Sequence, residues 1–497
     1  MEEMKMESVS SQIIRNLITS FKTSAKFKNM LQGQKYYKGK HDILKKQLNK
    51  YYVFDPVTKQ QVEKTNSNKS NMKLPHKFHT KLVNQKISYI LGKPISITCS
   101  KDDEKKTISD AVWESLGIKF ENLIKNKAKD ASNCGLAWIH PEYDKNGKLV
   151  FKSYPATEII PIYDPETETE LRGIIHFYKL IDVPNNNEER IYVEYWTDKE
   201  ARFYIETRQG ETSIFVEDVS RPRQDYHYIT EIFDNTLNEV IDVQKHNWGK
   251  VPFIKIANNE EETTDLEDIK GLIDAYDLID SNYVNTVEDL KEIIWLINGY
   301  GAEDVLALIE AIKVNGVARN NDATGSIDAK TIAIPYEARE ALLKKIKEHI
   351  YEFGRGVDTS NRDVVAQAPS GVALEFLYND LDLKADDIIP WLRIAIYEIL
   401  WYVIDDLQRA GKIGKEITPF DFEITFNKTR IFNEIELMTY LSNDTLLSTL
   451  TKLKLHPKIQ DADAELIQIN KEKKESIERQ QQLFNSSGGF EDGQGDE

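Results

Sequence analysis

Six Gly-Lys pairs are the first residues of this chain that could do chemistry, because a glycine-rich loop ending in lysine can cradle phosphate groups. The pairs begin at Gly39, Gly92, Gly147, Gly249, Gly411 and Gly414. In the phosphate-binding loop of ATPases Ser or Thr follows the lysine, but here the next residue is His, Pro, Leu, Val, Ile or Glu. An ATP-driven motor is therefore not expected.

Histidine, cysteine and serine residues offer no recognisable metal or nucleophile site. His76 and His79 come closest to a pair, but they lack the HExxH spacing, and two surface histidines on a helix are the favoured interpretation. Cys99 and Cys134 are too few for a structural zinc site and are interpreted as buried thiols of a reducing compartment. Ser370 lacks the GxSxG elbow and is assigned to the N-cap region of the next helix. We expect no metal and no cofactor.

Carboxylates leave one enzymatic alternative open. Asp363 and the pair Asp386-Asp387 could bind Mg²⁺ in a nuclease, although scattered carboxylates usually form solvated faces. No catalytic residue can be assigned from the sequence. A Mg²⁺-dependent nuclease of a mobile element is the enzymatic alternative to a structural role.

The charge of the chain is distributed unevenly. The net charge is −17, but residues 1–75 carry +9 and the remainder carries −26. A basic arm on an acidic body can bind nucleic acid or an acidic partner, although a solvated helical surface is the favoured interpretation. The acidic body argues against tight, static DNA binding, which relies on neutralisation of phosphates by lysine and arginine.

Long helices are predicted to hold the functional residues of this chain in place. A capping box of Thr264 and Glu267 begins a helix predicted over 264–298, which Asn298-Gly299 ends. At about 50 Å this helix is too long for the interior of one small domain. Apolar residues at steps of three and four form one buried stripe, and the other faces are mainly acidic. Such a surface does not hold DNA.

A polar loop, VDTSNRDVVAQAPS at 357–370, connects two further predicted helices. The first begins after Pro335 and ends near Gly354, and the second covers 371–410 and bends at Pro390. Within the second helix, the apolar stretch 388–404 contains charged residues and is shorter than the roughly 20 residues of a membrane span. The N-terminus has no secretory signal, so the chain is expected in the cytosol, with no membrane partner.

The rest of the chain divides into helical and β-rich parts. The period of the apolar residues changes from 3.6 to 2 over 135–257, and Asn146-Gly147 indicates a hairpin turn. The other predicted elements are helices with a basic face over 9–50, a loop over 55–75, helices over 76–91 and 105–132, a short helix and two strands between 300 and 335, a strand over 421–428, and helices near 433–454 and 459–484.

Five segments resemble a known family. They are YYKGKHDI, NQKISYILGKPISI, EIIPIYD, VPFIKIANNEEETTDLEDIKGLIDAYD and SGVALEFLYNDLDLKADD. In this order they resemble segments of portal proteins of long-tailed, siphovirus-type bacteriophages that infect Gram-positive bacteria. The likeness covers most of the chain, and none of its motifs is catalytic.

The resemblance implies a function and a set of partners. The chain would form a homo-oligomeric ring of twelve subunits at one vertex of the capsid, through which double-stranded DNA is packaged and later ejected. Its further partners would be the large terminase, the head-tail connector or adaptor, and the scaffolding and major capsid proteins. It would act in the virion, after assembly in the host cytoplasm. A capsid or tail adaptor without a DNA channel is a second alternative.

The resemblance also implies an α+β, portal-type fold with long stem helices, a β-rich wing, a small α/β clip and a helical C-terminal crown. Its parts map onto 1–263 as N-terminal helices and wing, 264–298 as stem helix, 299–335 as clip, 336–356 as second stem helix, 357–370 as tunnel loop, 371–410 as bent wing helix, 411–485 as crown and 486–497 as a disordered acidic tail.

Two groups of residues would meet DNA or a neighbouring subunit on this basis. The DNA-channel loop comprises Asp358, Thr359, Ser360, Asn361, Arg362 and Asp363. Of these, Arg362 is expected to contact phosphate, and the alternative is an ordinary connection between helices. The basic residues are Lys344, Lys345, Lys347 and Arg355. The lysines are expected to pair with the acidic 264–298 helix of the same or the next subunit, with direct phosphate contact as the alternative.

Overall fold

The computed structural model describes most of the chain and divides it into two compact units. The first unit is Met1–Asp358 with Asp380–Thr429, and the second is Thr359–Asn379 with Arg430–Glu497. The described residues are 11–48, 50–55, 59–65, 70–101, 105–182, 188–209, 212–234, 239–289, 294–298, 326–330, 336–360, 371–429, 434–456, 459 and 462–487.

Helices and strands alternate in blocks along the described residues. The helices are α1 Ser11–Thr23, α2 Ala25–Tyr37, α3 Phe78–Leu91, α4 Lys105–Leu116, α5 Phe120–Cys134, α6 Lys270–Asp289, α7 Tyr336–Phe353, α8 Gly371–Arg409, α9 Glu434–Asn443, α10 Thr449–Leu455 and α11 Ala462–Ser487. The strands are β1 Lys50–Asp55, β2 Gln60–Thr65, β3 Ser96–Cys99, β4 Leu136–Tyr143, β5 Leu149–Tyr154, β6 Ile159–Tyr163, β7 Leu171–Asp182, β8 Glu188–Trp196, β9 Ala201–Gln209, β10 Thr212–Glu217, β11 Tyr228–Asp234, β12 Glu239–His246, β13 Ile254–Ala257, β14 Ile294–Asn298, β15 Ser326–Lys330 and β16 Phe422–Thr425. The mixed helix and strand class predicted from the sequence is confirmed.

Two antiparallel sheets form the β-rich part of the first unit. One has the order β10-β9-β8-β7-β6 and the other β13-β4-β5. Successive residues of β7 face opposite sides, so that Ile174 joins the core shared with Trp138 while Ile175 joins the core beneath α1. The predicted β region and its hairpin at Asn146-Gly147 are confirmed, and this large sheet is buried on both faces.

Helix α2 approaches α5 closely at a glycine. A Cβ atom added to Gly33 would lie 1.9 Å from the backbone oxygen of Asn133. Both residues belong to the interior of the first unit, where neither backbone can move away without disturbing α2 or α5. Gly33 therefore fixes the distance between these two helices.

Replacing this glycine should destabilise the fold. We expect Gly33→Ala to lower the free energy of unfolding by about 1–3 kcal/mol, because the added methyl overpacks the α2–α5 contact. Gly271→Ala is the matched control, since Gly271 lies in α6 with nothing within 4 Å of its added Cβ. Urea unfolding of the two variants measures the difference. Equal stability of the two would contradict the close approach.

Helices α6 and α7 pack against each other and against α3. Their shared core contains Leu82 of α3, Ile273 of α6 and Ile350 of α7, all buried. The predicted apolar stripe is therefore confirmed at Ile273, but it is not buried from end to end, because Val287 near the end of α6 is 45% exposed. The helix predicted after Pro335 is also confirmed as α7, because its first residue follows the proline and Gly354 follows its last.

The helix predicted over 264–298 is wrong at both ends. Residues 264–269 form turns ahead of α6, although the capping contact is present, with the Thr264 amide donating to the Glu267 carboxylate at 2.8 Å. After α6, residues 294–298 form strand β14, which pairs antiparallel with β15. The run Ile-Trp-Leu-Ile is rich in the β-branched and aromatic residues that strands prefer, and the periodic apolar spacing hid this.

The small module predicted at 299–335 is therefore shifted. Its first strand, β14, precedes Gly299, and its second, β15, occupies residues assigned to the polar turn. The predicted short helix after Gly299 and the strand predicted over 313–319 lie outside the described residues. Of the strand predicted over 330–335, only Lys330 is described, as the last residue of β15.

Two N-terminal predictions are also corrected. The segment 55–75 is not a loop throughout, because β1 and β2 form a hairpin that begins at Lys50. The helical stretch 105–132 is two helices, α4 and α5, separated at Gly117, whose φ of +71° is the left-handed conformation that ends a helix. The predicted helix 76–91 begins at Phe78 and ends at Leu91.

The C-terminal helices follow a segment of the first unit. Residues 411–429 belong to this unit, where β16 pairs with β3. The crown assigned to 411–485 stays a prediction. The helical region near 433–454 is divided into α9 and α10, and α11 extends to Ser487. The rest of the predicted acidic tail, 488–497, lies outside the described residues.

The helix predicted over 371–410 is confirmed as α8, with Pro390 in its interior. Lys384, six residues before this proline, is buried, as are Leu392 and Ile396 on its other side. Among the described helices, none has a stretch long and apolar enough to cross a membrane.

Candidate functional site

An extended segment, residues 72–76, lies along α6 and is called the strap here. The side chains of Asp277, Ser281 and Asn285 bind its backbone. The Asn285 amide oxygen accepts from Met72 N at 2.6 Å, Ser281 Oγ from Leu74 N at 3.0 Å, and Asp277 Oδ1 from His76 N at 2.8 Å. All three helix residues are buried.

The spacing of these contacts explains how a helix can bind a strand-like segment. Asp277, Ser281 and Asn285 are four residues apart and lie about 6 Å from one another on one face of α6. Alternate residues of an extended chain advance by nearly the same distance, about 6.6 Å. Polar side chains at every fourth helix position therefore match backbone amides at every second strap position, with the two segments antiparallel.

Asp277 is the centre of the strap contact. Its carboxylate accepts from the ring nitrogens of His41, at 2.6 Å, and His76, at 2.9 Å, and both the Asp277 and His41 side chains are fully buried. His76 also contacts Asp280 at 3.0 Å. The hydrogen bond to Asp277 raises the pKa of His76 above its usual value. Burial alone raises the pKa of Asp277, but the hydrogen bonds from His41 and His76 bring it below its usual value.

The basic N-terminal arm thus meets the acidic helix of its own chain. Besides the strap, Tyr36 donates to Asp274 of α6, and Lys270 of α6 pairs with Asp42 at 3.1 Å. Lys46 donates to Asn282 on the same helix. The acidic partner that the charge asymmetry suggested is therefore, in part, α6 itself.

The strap contact should depend on pH through His76. Because the folded pKa of His76 is raised, protonation contributes stability that is fully present below the unfolded value of about 6.5 and is lost as pH rises through the folded pKa. We expect the unfolding free energy of wild type to exceed that of the His76→Asn variant most strongly at a pH below the unfolded pKa. The difference should be smaller at a pH above the folded pKa of His76. Urea unfolding between pH 5.5 and 9 measures this. A difference that does not change with pH would contradict it.

A buried ionic junction lies beside the start of α6. The Lys86 ammonium of α3, 1% exposed, contacts both carboxylate oxygens of Asp265 at 3.2 Å and donates to Asn258 Oδ1 at 2.7 Å. Asn258 in turn donates to Asp265 at 2.9 Å. Lys384 of α8 approaches the second oxygen of Asp265 at 3.7 Å. One carboxylate thus connects α3, the segment ahead of α6, and α8.

The pKa values of the junction follow from its burial and its charges. Burial lowers the pKa of Lys86 to about 8, and Asp265 opposes this shift. Burial alone raises the pKa of Asp265, but the ammonium groups of Lys384 and Lys86 bring it well below its usual range. The carboxylate is therefore ionised at neutral pH and balances two buried cations.

The junction continues to the base of the predicted tunnel loop. Lys384 donates to the backbone oxygen of Gly354 at 2.8 Å. The Gln85 amide forms two hydrogen bonds with the backbone of Val357, at 3.0 and 3.1 Å. Arg355, at φ +48°, ends α7, and the Gly356 amide returns to the Tyr351 oxygen at 2.9 Å, as in a Schellman cap. We call residues 354–358 the loop platform.

The predicted channel-loop residues are only partly described. Asp358 closes the platform, because its carboxylate pairs with Lys347 at 2.8 Å and approaches Lys81 at 3.9 Å. Thr359 and Ser360 follow in an exposed turn. The other predicted members, Asn361, Arg362 and Asp363, lie outside the described residues.

The predicted basic residues separate into two kinds. Lys344 and Lys345 are exposed on α7. Lys347 pairs with Asp358, and Arg355 pairs with Asp387 at 2.9 Å. Pairing of the three lysines with the 264–298 helix of the same or the next subunit stays a prediction.

The carboxylates considered for a nuclease have other partners. Asp386 pairs with Lys428 at 2.7 Å, and Asp387 pairs with Arg355. Asp363 lies outside the described residues. Among the residues that the structure describes, no group of three or more His, Cys, Asp or Glu side chains could hold a metal ion.

Sequence reasoning missed the strap, the junction and the platform. His76 and His79 were expected as surface residues, but His79 is buried and its ring contacts Asn133 at 2.9 Å. A signal for the strap was present, because the hydrogen-bonding residues Asp277, Ser281 and Asn285 recur at every fourth position of α6. The junction had no local signal, since Lys86 and Asp265 are far apart in sequence.

Comparison with known proteins decides which family this architecture represents. The family described as "Phage portal protein, SPP1 Gp6-like" matches residues 22–479. The chain belongs to this portal family. The match includes both the strap and the loop platform, so these features lie within the family's common region, and the family expected from the sequence is confirmed.

Two curated relatives agree with this assignment. The portal protein of Bacillus phage SPP1 is 28% identical over 466 residues, which cover 93% of this chain and 87% of the relative. The portal protein of Clostridium phage phiCD119 is 28% identical over 480 residues, covering 93% of this chain and 96% of the relative. Both likenesses extend over nearly the whole of each protein.

Solved structures show a weaker likeness. A chain from the neck of a native GTA particle, computed with C12 symmetry, aligns with 76% of this portal protein and 89% of its own length, at 9% identity and a TM-score of 0.38. A chain from the neck of an empty GTA particle, computed with C6 symmetry, covers 77% and 90%, at 10% identity and a TM-score of 0.37. At TM-scores this low, the likeness is not evidence of a shared fold.

Proposed function

We propose that this portal protein forms a homo-oligomeric ring of twelve subunits at one capsid vertex, and that double-stranded DNA enters and leaves through the ring. The observation that carries the proposal is the family match over residues 22–479. The role is structural and non-enzymatic. Its site of action is the virion, with assembly in the host cytoplasm.

Exposed apolar residues on the α6–α7 pair support a ring. Leu278 and Val287 of α6 and Leu342 of α7 are each more than two-fifths exposed. A helix pair that leaves such residues uncovered gains stability when a neighbour packs against it. In a ring, head-to-tail contacts between identical subunits would cover these positions in every copy.

The assignment of parts follows from this arrangement. The stem comprises α6 and α7, the clip contains the β14–β15 pair, and the wing comprises the preceding helices and β-rich part with most of α8. The crown begins after Thr429. Residues 357–370 form the tunnel loop, with Asp358, Thr359, Ser360, Asn361, Arg362 and Asp363 at the channel and Arg362 as the phosphate contact.

The loop platform gives this loop a mechanical role. Gln85, Lys384 and Lys347 bind residues 354–358 at the N-terminal end of the loop, and Arg355 of the same segment pairs with Asp387 of α8. A loop whose N-terminal end is held on three helices can touch moving DNA while this attachment stays in place. The exposed lysines Lys344 and Lys345 lie between two and three turns before Gly354, where they reach either a neighbouring subunit or phosphate.

The proposed partners are those a portal ring requires: the large terminase during packaging, the head-tail connector or adaptor after it, and the scaffolding and major capsid proteins during assembly. A capsid or tail adaptor without a DNA channel would differ from a portal ring in mass and in shape, so measuring both distinguishes the two functions. The nuclease is not favoured, because Asp386 and Asp387 are paired with basic side chains.

Light scattering on the purified chain tests the ring directly. One subunit has a mass of 57.4 kDa. We expect a discrete species of many subunits that persists on dilution, since a closed ring satisfies every interface at once. A monomer or dimer at high concentration would contradict the proposed function.

A further inference from the structure

The basic N-terminal part of the chain carries lysines that α6 does not use. The arm contacts α6 through Lys46 and the strap. Four other lysines, where the end of α2 meets the start of α3, are exposed, and none of them forms an ion pair with a carboxylate of the described residues. They are Lys35, Lys38, Lys40 and Lys77, and we call them the lysine patch.

A turn at Gly39 brings these lysines together. Gly39 has a φ of +73°, the left-handed conformation with which glycine ends a helix, and Lys38 and Lys40 flank it. A Cβ atom added to Gly39 would lie 2.5 Å from Cε of Lys77 and 3.4 Å from its Nζ. The side chain of Lys77 therefore lies over the turn, and its ammonium group is beside the backbone that connects Lys38 to Lys40.

Contacts between α2 and α3 hold the lysine patch in this arrangement. Thr80 Oγ1 donates to the backbone oxygen of Tyr37 at 2.7 Å, and the Tyr37 hydroxyl donates to Asn84 Oδ1 at 2.9 Å. The end of α2 is thus fixed on the first two turns of α3. The fold therefore keeps like charges close together and concentrates positive potential at one place on the surface.

The surroundings of the lysine patch strengthen its positive potential. No side chain caps the N-terminus of α3, and the first turn of α3 contains no acidic residue, so the helix dipole adds partial positive charge at Lys77. The carboxylate of Asp130, which acts electrostatically on the neighbouring Tyr37, pairs with Lys127 at 2.8 Å. A chain with a net charge of −17 thus has a local site that attracts anions.

The lysine patch lies next to the loop platform. Lys81, four residues after Lys77 on α3, approaches the Asp358 carboxylate at 3.9 Å, and its ammonium lies 4.9 Å from the ring centroid of Tyr351. One turn of an α-helix advances about 5.4 Å. An anion bound at Lys77 would therefore lie about one helical turn from the segment at which the proposed tunnel loop begins. This position favours DNA over a capsid protein as the anionic partner.

We propose that the lysine patch binds backbone phosphates of double-stranded DNA beside the loop platform. The inference rests on the proposed function, which brings a duplex to the ring. Lysine is a flexible, hydrated point charge, and contacts to phosphate carry no sequence information, so the patch can hold any sequence and release it again. Gly39 has no side chain that would keep a phosphate away from the turn. Each subunit binds weakly, and the ring repeats the patch in every copy.

Neutralising the lysine patch tests the phosphate contact. The patch variant combines Lys38→Gln, Lys40→Gln and Lys77→Gln. The matched control loses the same charge at three exposed lysines of the β-rich part, Lys145→Gln, Lys148→Gln and Lys199→Gln. Fluorescence anisotropy with a short labelled duplex measures DNA affinity between about 50 and 200 mM NaCl, and thermal unfolding of both variants checks the fold.

The salt dependence of binding gives the expected result. Each lysine that contacts phosphate contributes about one unit to the slope of log K against log salt concentration. We expect the slope of the patch variant to be shallower by about 2 to 3, and its affinity at the lowest salt concentration to fall at least about ten-fold, while the control binds like wild type. An unchanged slope and affinity would overturn the inference. Loss of binding to a glutamate-rich peptide, with DNA binding unchanged, would assign the patch to an acidic protein and would also overturn it.

Acetylation of lysines in the wild-type protein gives a second measurement that does not depend on any variant. Mass spectrometry compares the modification of each lysine with and without duplex DNA. DNA should protect Lys38, Lys40 and Lys77 and leave Lys145, in the exposed turn between β4 and β5, unprotected. Equal modification of the patch lysines in both samples would contradict the phosphate contact.

Sedimentation of the same samples distinguishes the two proposals. If wild type stays monomeric, the ring itself is contradicted. If wild type forms rings and the patch variant binds DNA as wild type does, the ring stands and the role of the lysine patch is contradicted.

Discussion

Replacing Asp265 by alanine should destabilise this portal protein more than any other single change considered. The substitution leaves Lys86 and Lys384 without their shared carboxylate, in a region where both are buried. Breaking a buried ion pair by removing one partner costs about 3–5 kcal/mol, because the remaining charge is uncompensated. Since the junction connects α3, the segment ahead of α6, and α8, the loop platform should loosen with it.

Urea unfolding followed by tryptophan fluorescence measures this loss. Asp268→Ala is the control, because Asp268 is exposed three residues further along the same turn, and its effect should stay within about 0.5 kcal/mol. Combining Asp265→Ala with Lys86→Met should cost less than the sum of the two single changes, since each removes the same interaction. Additive losses would show that the two residues do not act together.

Replacing residues 359–363 by a Gly/Ser linker should abolish DNA packaging and leave the ring intact. The replacement starts after Asp358, because Asp358 pairs with Lys347 and belongs to the platform rather than to the loop tip. Packaging should fail because the linker removes Arg362 and the short polar side chains proposed to contact DNA. Assembly should survive because the platform keeps its hydrogen bonds from Gln85 and Lys384.

DNA protected from nuclease inside assembled heads measures packaging, and sedimentation measures assembly. The control is a Gly/Ser replacement of residues 166–170, an exposed turn of equal length in the β-rich part. Normal packaging by the 359–363 variant would remove the loop from the mechanism. Loss of the ring in that variant would instead assign the loop to assembly.

The sequence pattern predicts those helices, strands and turns that depend on residues close to one another in sequence. The hairpin at Asn146-Gly147, the start of α7 after Pro335 and the buried position of Ile273 in α6 each follow from residues close in sequence. The end of α6 could not be predicted in the same way. Ile294 and Ile297 fit a helical stripe as well as a strand, and only pairing with β15 distinguishes the two.

The site depended on contacts that no local pattern records. Asp277 was counted among the acidic residues of an exposed face, but His41 and His76 bury it. Lys86 meets Asp265 across 179 positions of sequence. The charge asymmetry predicts that the basic arm and the acidic helix attract each other. It does not predict which residues pair.

Electron microscopy of the purified protein in negative stain tests the central claim most directly. We expect closed rings of uniform size, each with a central channel wide enough for a B-form DNA duplex. Isolated monomers or dimers, or rings and plates without a central channel, would contradict it.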